Sequence, residues 1–384
     1  SSTCIVKMSR LPAQYIIVSG LSWLSIAKTM GECMSDEKTH DAGRISRALI
    51  VLFYLLTAVD GMAIVMYLPG MPDMAVAFNT DAGRIQHTLS VFLAGLAIGQ
   101  ALYGPLLDRY GRRAPLMVGM LLFIAGSAAS ALSTSPEMLT LARFVQALGA
   151  AAGLVTPRAI VSDICSVTES SKIYSVLMQV MMIAPILAPV IGGMVLQAGS
   201  WQMIFWLLTL FGGIALLWCL CGLPETLSPQ ARTRLDARTL WRVYAGLLTQ
   251  RDFMAFTLAG GFILGSLFTW ISASSFILTG TFSLSPTTFS YLFAMNSIML
   301  IGGGFLSNLL LKRGHTEIAL TRTGIAIHVL AGSILFIAAL AGAASLTLFV
   351  VAIAIGMGAL GLVFGNLTAL TMQQAKHQAG VASS

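Results

Sequence analysis

The sequence predicts an all-α protein whose chain crosses a membrane many times. Of its 384 residues, 57% are hydrophobic and only 10% are charged, and the mean hydropathy is +0.85. A water-soluble domain carries roughly 25% charged residues, so this composition leaves too much apolar surface for a soluble fold. The apolar residues also fall into ten long segments, each close to the ~20 residues that a spanning helix needs. Together these observations predict a polytopic membrane helix bundle.

The apolar segments give the predicted order of elements. We expect spanning helices near 48–69, 86–107, 115–134, 137–157, 173–196, 202–223, 253–279, 288–311, 320–341 and 346–371. The longest polar interruption, 227–251, contains five arginines. It divides the predicted membrane portion into an N-terminal bundle of six helices at 48–226 and a C-terminal bundle of four helices at 252–384.

The sequence also indicates what the two ends of the chain are. Residue 1 is Ser, and Met34 opens a short polar stretch. We therefore expect 34–47 to be a cytoplasmic tail and 1–33 to be a non-native upstream segment. At the other end the sequence stops just past a predicted cytoplasmic loop, where a further helix would begin, so we expect the second bundle to be incomplete.

Basic residues predict the orientation of the helices. From Met34 onward, one side of the predicted topology carries 17 Lys and Arg residues, the other side carries only Arg84, and Arg143 lies within a span. The 17 residues are Lys38, Arg44, Arg47, Arg109, Arg112, Arg113, Arg158, Lys172, Arg232, Arg234, Arg238, Arg242, Arg251, Lys312, Arg313, Arg322 and Lys376. Because positive residues concentrate in cytoplasmic loops, the N-terminus and the 227–251 loop are predicted to be cytoplasmic.

Composition and motifs also argue against several function classes. The net charge of +7 follows from membrane orientation, since the basic residues lie between apolar segments, and it does not indicate nucleic-acid binding. The five cysteines show no paired framework. The sequence lacks a phosphate-binding Gly-x-x-x-x-Gly-Lys-Ser loop and any His or Cys cluster with metal-ligand spacing. We therefore expect no catalytic site, metal or cofactor.

A tight basic turn joins the second and third predicted helices. Residues 104–113 follow the frame Gly104-x-x-x-Asp108-Arg109-x-Gly111-Arg112-Arg113. The glycines permit close helix approach and a sharp bend, and the arginines suit the cytoplasmic headgroup level. Asp108 is suited to pair with a nearby arginine or to accept hydrogen bonds from a helix N-terminus. Such a network can hold one conformation and release it in another, so this turn is predicted to be a gating loop.

Further motifs lie in and around the other predicted helices. The fourth helix contains Arg143-x-x-Gln146-x-x-Gly149, and the fifth contains Ala184-Pro185-x-x-Ala188-Pro189-x-x-Gly192-Gly193. Tyr67-Leu68-Pro69 follows the core of the first helix, and Ser200-Trp201-Gln202 precedes the sixth. With the 104–113 turn, these motifs resemble those of the major facilitator superfamily, and within it the Bcr/CflA-type (bicyclomycin-resistance) drug:proton antiporters. The resemblance covers 48–380. It implies two six-helix halves around a central cavity, with ten of twelve spans present.

The first helix departs from the pattern of this group. The group carries an aspartate just before the Met-Tyr-Leu-Pro sequence, where this chain has Val65. Asp60 lies five residues earlier, which is about 140° around a helix. We expect Asp60 to reach the same cavity only if the helix is rotated or broken near Gly61.

The second bundle departs from the pattern as well. The counterpart of the 104–113 turn lies at 307–315 and keeps Lys312-Arg313-Gly314, but Leu311 stands in place of the aspartate. We expect a charge network that is stronger in the first bundle.

Asp60 and Arg143 are the predicted proton-coupling residues. A charge within a span costs about 2.5–3.5 kcal/mol on insertion scales, which favours a functional reason for both. Asp60 is interpreted as a protonatable carboxylate, with a fixed ion pair as the alternative. Arg143 is interpreted as a group that tunes a carboxylate electrostatically, with a helix-packing hydrogen-bond donor as the alternative. Gln146 lies one turn further along the same face and is suited to bind substrate or Arg143.

Asn296 and Trp270 are predicted, together with Gln146, to line the substrate cavity. An aromatic residue at helical spacing is more often part of the packing. Arg158 and Asp163 are expected at the membrane interface, in contact with lipid headgroups, with a salt bridge that forms a gate as the alternative.

The fifth helix carries a predicted antiporter hinge. Pro185 and Pro189 each remove a helix hydrogen bond, and Gly192 and Gly193 permit tight contact. The alternative is a packing kink with no role in movement.

The resemblance implies a secondary transporter that exports small, largely apolar drugs or toxic compounds by proton antiport and alternating access. Its expected partners are the small-molecule substrate, protons and membrane lipid, and it is expected to be a monomer in the inner (plasma) membrane. The alternatives are a proton-coupled carrier of one specific metabolite and a non-transporting membrane protein or inactive fragment.

Overall fold

The structure, a computed structural model, describes residues 47–165, 167–228, 246 and 249–374. Within these residues, ten helices are long and apolar enough to cross a membrane, which confirms the predicted all-α polytopic fold. The predicted upstream segment, the predicted tail as far as residue 46, most of the predicted central loop and 375–384 lie outside the described residues. The division into bundles at that loop stays a prediction.

Eleven α-helices follow one another along the described part of the chain. They are α1 (Arg47–Val65), α2 (Met71–Ala77), α3 (Ala82–Tyr110), α4 (Arg113–Ala131), α5 (Pro136–Ile164), α6 (Val167–Ala198), α7 (Gln202–Gly222), α8 (Arg251–Ser275), α9 (Pro286–Lys312), α10 (Glu317–Leu340) and α11 (Leu346–Gln374). A 3₁₀ turn at Leu68–Gly70 precedes α2, and a π-helical turn at Phe276–Thr281 extends α8. Each apolar segment of the sequence corresponds to one span of membrane length.

The first membrane span is interrupted where the sequence predicts a continuous helix. α1 ends at Val65, and the span continues through the 3₁₀ turn and α2 as far as Ala77. Pro69 and Pro72 lie in this stretch, and a proline within a helix removes a hydrogen bond and clashes with the preceding turn. The side chains of Tyr67, Leu68 and Met71 are nevertheless fully buried. The interruption therefore lies inside the protein.

Side-chain caps begin several of the helices. Asp81, Ser135, Ser285 and Thr316 precede α3, α5, α9 and α10, and each accepts a hydrogen bond from the backbone N–H three residues later. These residue types satisfy the free N–H groups of a first helical turn. The helices consequently begin one to four residues before the apolar segments from which they were predicted.

Two helices organise the packing around the candidate site. α5 lies among the N-terminal helices and packs against α3, α4 and α1. α6 packs against α1 on one side and against α9 on the other, so it joins α1–α7 to α8–α11. α11 in turn packs against α8, α9 and α10. The space between α1, α6, α8, α9 and α11 contains the candidate site.

Candidate functional site

A cavity of about 190 Å³ lies between these five helices. Three of its lining side chains carry strongly polar groups: Asp60 on α1, Trp270 on α8 and Asn296 on α9. The other lining residues are Gly61, Ile64, Val65, Met181, Pro185, Leu267, Phe268, Ile271, Phe293, Ser297, Leu300 and Met357. The cavity is therefore a mainly apolar chamber with a few polar groups, as is usual for a small-molecule site.

The three polar groups have unused hydrogen-bonding atoms. Asp60 Oδ1, Trp270 Nε1 and Asn296 Oδ1 are buried and have no hydrogen-bond partner. Leaving a buried polar atom unpaired costs about 1–3 kcal/mol, so three such atoms around one cavity call for a functional reason. Trp270 can only donate, Asn296 Oδ1 can only accept, and the Asp60 carboxyl accepts when ionised and donates when protonated. The cavity thus offers hydrogen bonds to a ligand.

Asp60 reaches the cavity without the break that the sequence suggested. α1 is helical through Gly61 as far as Val65, and Asp60 and Val65 both line the cavity. The expected need for a rotated or broken helix is wrong, because α1 is continuous through Gly61 and still brings both positions to the cavity. Gly61 supports this arrangement, since a Cβ there would lie 2.7 Å from the Cβ of Ala184 on α6.

Arg143 lies away from the cavity, between the N-terminal helices. It is fully buried, and its Nη1 donates to the carbonyl oxygen of Ala63 at 2.9 Å and to Gln146 Oε1 at 2.6 Å. Its guanidinium carbon lies 4.2 Å from the ring centroid of Tyr67 and 4.1 Å from that of Phe92. These rings present their negative faces to the cation. Arg143 therefore holds the end of α1, just before the interruption, against α5 and α3.

Gln146 does not line the cavity, contrary to its predicted role. Its Nε2 donates to Ser127 Oγ at 2.7 Å, and its oxygen accepts from Arg143. Gly126 on α4 allows this close approach, because a Cβ there would lie 2.6 Å from the Cα of Gln146. The side chain is thus directed toward α4. Arg143 is likewise absent from the cavity lining, and its contacts match the alternative interpretation of a packing donor.

Arg158 is the cation that the sequence interpretation missed. Its Nη2 lies 3.5 Å from Sδ of Met181, a residue of the cavity lining. The predicted fourth helix ended at residue 157, which put Arg158 at the interface with the headgroups. α5 continues to Ile164, so Arg158 is half-buried beside the cavity. A correct prediction of the end of this helix would have been enough to place Arg158 within the helix rather than at the headgroups.

The 104–113 turn carries a charge network at one end of the helices. Arg112 Nε and Nη2 donate to the two carboxylate oxygens of Asp163 at 2.8 and 3.1 Å, and Nη1 donates to Asp108 Oδ1 at 2.8 Å. The bond to Asp163 is the main reason that the pKa of Arg112 is raised above its usual value, so Arg112 stays positively charged. Asp163, which the sequence places at the membrane interface, links the end of α5 to this turn.

The remaining residues of the turn have distinct surroundings. Arg113 Nη2 donates to the carbonyl oxygen of Leu220 on α7 at 2.8 Å. Arg109 stacks on the neighbouring ring of Tyr110, with 5.1 Å from the guanidinium carbon to the ring centroid. A Cβ at Gly104 would meet nothing within 4 Å. The network therefore centres on Arg112, with Arg113 as a second tie to α7.

The predicted hinge residues on α6 lie where this helix meets α9. Pro189 has no N–H, so the carbonyl of Pro185 lacks its usual helical partner. Ser297 Oγ shares its one hydrogen between that carbonyl at 3.4 Å and the carbonyl of Phe293 within α9 at 3.1 Å. Ser290 Oγ donates to the carbonyl of Pro189 at 2.8 Å. A Cβ at Gly193 would lie 2.6 Å from Ser290 Oγ.

Gly192 makes a close contact on another side of α6. A Cβ at Gly192 would overlap the carbonyl oxygen of Met66, at the interruption of the first span. The residues of the predicted hinge therefore form the contacts of α6 with both α1 and α9.

The architecture and the cavity define a class of protein. A polytopic helix bundle that encloses donor, acceptor and acidic groups in a mainly apolar chamber is the arrangement of a secondary carrier. The chain belongs to the major facilitator superfamily, whose family model matches residues 53–384.

Several proteins of known sequence are similar to this chain. The chain is 35% identical to "Uncharacterized MFS-type transporter YdgK" of Bacillus subtilis, over 90% of this chain and 86% of the relative. It is 28% identical to "Bicyclomycin resistance protein homolog" of Haemophilus influenzae, over 87% and 84%. It is 32% identical to "Chloramphenicol resistance protein" of Pseudomonas aeruginosa, over 72% and 65%. The names of two of these relatives confirm the resemblance to the drug-resistance group. The family itself is one of transporters rather than enzymes.

Solved structures agree on the fold. The crystal structure of a mutant of the nucleoside transporter NupG superposes with a TM-score of 0.67 at 17% identity, covering 88% of this chain and 84% of that one. At this identity the match shows the shared fold alone.

Proposed function

We propose that this protein is a proton-driven exporter of small, largely apolar compounds. The observation that carries the proposal is the cavity, where apolar walls surround three buried polar atoms without partners. Asp60 is the one titratable residue among those that line it. The names of two relatives, which refer to bicyclomycin and chloramphenicol resistance, support a drug-like substrate.

The proposed coupling uses the two protonation states of Asp60. A proton from outside binds the carboxylate and makes it neutral, and Asp60 then ceases to attract positive charge in the cavity. Substrate and proton occupy the cavity in turn, so each stabilises a different conformation of the carrier. Arginine cannot serve in this role because it keeps its proton at ordinary pH. Trp270 and Asn296 contribute a donor and an acceptor for the substrate.

The contact between α6 and α9 supports alternating access. The serine hydroxyls of α9 donate to carbonyls of α6 at Pro185 and Pro189, and these bonds can break and re-form without unfolding either helix. Gln197 near the end of α6 also donates to Thr287 near the start of α9. Rocking of α1–α7 against α8–α11 would break and re-form the contact between α6 and α9.

The orientation is part of the same proposal. The 17 basic residues on one side of the topology support a cytoplasmic N-terminus in the plasma membrane. The end of the helices with the Arg112 network is then cytoplasmic, and the end with the Gln197–Thr287 contact is extracellular. We propose that the carrier acts as a monomer.

The experiment uses everted membrane vesicles that contain the full-length protein. Uptake of a panel of small apolar antibiotics, including chloramphenicol, is measured with and without an imposed pH gradient. Asp60→Asn mimics the protonated acid, so it should abolish the dependence of transport on the gradient. Asp73→Asn is the matched control, because Asp73 is an exposed acid of the same membrane span and should behave as the parent.

Two results would contradict the proposal. If no compound of the panel moves in response to the gradient, the protein is not a proton-driven exporter of this class. If Asp60→Asn transports with the pH dependence of the parent, Asp60 is structural and coupling lies elsewhere.

A further inference from the structure

Glu225 lies just after α7 and makes an unusual set of contacts with the 104–113 turn. Its Oε1 accepts from the backbone N–H of Arg112 at 2.8 Å, and its Oε2 accepts from the backbone N–H of Arg113 at 3.2 Å. Oε1 also accepts from the backbone N–H of Leu227 at 3.1 Å. One carboxylate therefore bonds two successive amides at the start of α4.

The contact is favourable for two separate reasons. The first N–H groups of a helix have no partner within the helix, and Arg112 is the cap of α4 while Arg113 is its first residue. A helix N-terminus also carries partial positive charge, which attracts an anion. Arg112 makes no capping hydrogen bond with its own side chain, so Glu225 takes the place of the capping residue from a distant part of the chain.

Gly111 shows that the turn and the carboxylate fit each other closely. Its φ is 88° and its ψ is 178°, a combination that only glycine adopts readily. A Cβ on this residue would overlap the carboxylate of Glu225. The glycine is therefore needed both for the backbone conformation and for the space that Glu225 fills.

The position of the Arg112 side chain depends on this turn. The backbone of Arg112 is held by Glu225, while its guanidinium bonds both Asp108 at the end of α3 and Asp163 at the end of α5. Thr226, the next residue after Glu225, donates to Asp163 Oδ2 at 3.2 Å. The ends of α3, α4, α5 and α7 thus meet at one cluster.

We infer that Glu225 is a positioning residue of the carrier, whose carboxylate holds the Gly111–Arg113 backbone so that Arg112 can bridge α3 and α5. This inference rests on the proposed transport function. By joining the four helix ends, Glu225 lets the N-terminal helices move as one body during alternating access. It acts through Arg112 and does not touch the cavity.

The test compares Glu225→Gln with the parent and with Glu137→Gln. Glutamine has the same shape, but its NH₂ group faces the N–H of Arg113, so one of the two amide bonds is lost. Glu137 is an exposed carboxylate at the start of α5, paired with Arg84, and it serves as the matched control. Hydrogen exchange of the amides at 111–114 is measured first, because this measurement needs no substrate.

We expect exchange at 111–114 to be about tenfold faster in Glu225→Gln, as the loss of a hydrogen bond to a charged group implies. Turnover of the transported antibiotic should also fall about tenfold, with KM changed by less than about twofold, because the cavity is untouched. Glu225→Asp keeps the charge on a shorter side chain and should lie between the parent and Glu225→Gln. Glu137→Gln should change neither measurement.

The inference is overturned if exchange at 111–114 stays at the rate of the parent, or if exchange speeds up while turnover does not change. A rise in KM equal to the loss of turnover would also overturn it, since that would place Glu225 in substrate binding. If the parent itself exports none of the compounds, the proposed function fails. Exchange alone then decides whether Glu225 holds the turn.

Discussion

The turn between α3 and α4 and the turn between α9 and α10 each contain a glycine with positive φ, but their charged residues make very different contacts. Gly111 and Gly314 occupy equivalent places and have φ values of 88° and 92°. In the first turn, Arg112 bonds Asp108 and Asp163. In the second, Lys312, Arg313 and His315 are exposed, and none of them forms an ion pair with a described residue.

The comparison of the two turns shows that the sequence motif serves two separate purposes, a sharp backbone turn and a charge network. A sharp turn between two antiparallel helices needs a positive φ, so both turns have glycine at that place. The charge network needs carboxylates within reach of the basic residues, and among the described residues only the first turn forms such ion pairs. A Cβ at Gly314 would meet nothing within 4 Å, whereas Gly111 faces Glu225. The first turn therefore has a role beyond the connection of two helices.

The largest expected effect comes from removing the centre of the network. Arg112→Ala leaves Asp163, whose side chain is only 18% exposed, without its charged partner, and breaking such a pair costs about 3 kcal/mol. We expect export to fall about 100-fold, since about 3 kcal/mol added to the barrier of the transport cycle lowers a rate by roughly two orders of magnitude. His315→Ala, at the equivalent place in the other turn, should change export by less than about twofold. Equal losses in the two variants would remove the distinction between the turns.

A smaller effect is expected from the two glycines. Gly111→Ala must adopt a backbone conformation that costs about 1–3 kcal/mol, and its Cβ must also displace Glu225. Gly314→Ala bears only the backbone cost. Thermal unfolding in detergent should therefore rank the parent above Gly314→Ala and Gly314→Ala above Gly111→Ala. In a Glu225→Ala background the gap between the two glycine variants should narrow, and an unchanged gap would contradict the assigned contact.

The smallest effect concerns the position at which the two turns differ most visibly in sequence. Asp108 is 55% exposed, and a surface ion pair contributes about 0–1 kcal/mol. Asp108→Asn should therefore slow export about two- to fivefold at unchanged protein levels. Leu311→Asp introduces the missing acid into the other turn, but His315 stands where an arginine is needed, so export should not change. Faster export by Leu311→Asp would show that the acid alone is sufficient.

The fold could be predicted because its causes are local. A run of apolar residues of membrane length is helical in lipid, since every backbone group must find its partner within the segment. The ten spans follow directly from this rule. The helix ends were less predictable, because caps such as Asp81 and Ser135 extend a helix beyond its apolar run. The missed end of α5 had the greatest consequence, since it hid the place of Arg158.

The site could be predicted in part, for reasons that differ from residue to residue. Asp60, Trp270 and Asn296 are brought to one cavity even though they come from helices far apart in sequence. The cost of an intramembrane acid pointed to Asp60, whereas the pattern around Arg143 and Gln146 gave no direction for their side chains. Rotation about a helix axis is set by packing against neighbours, and the close approach at Gly126 directs Gln146 toward α4.

By itself, the sequence determined the all-α membrane fold, the number of spans within the described chain and the superfamily, because hydropathy and short motifs act within single helices. Only the tertiary structure decided which polar residues face the cavity and which, like Arg143, are enclosed by neighbouring helices. It also decided that Glu225 caps α4 from beyond α7, since the two places are more than a hundred residues apart in the chain. Contacts of that kind depend on how helices pack, and no local pattern in the sequence records them.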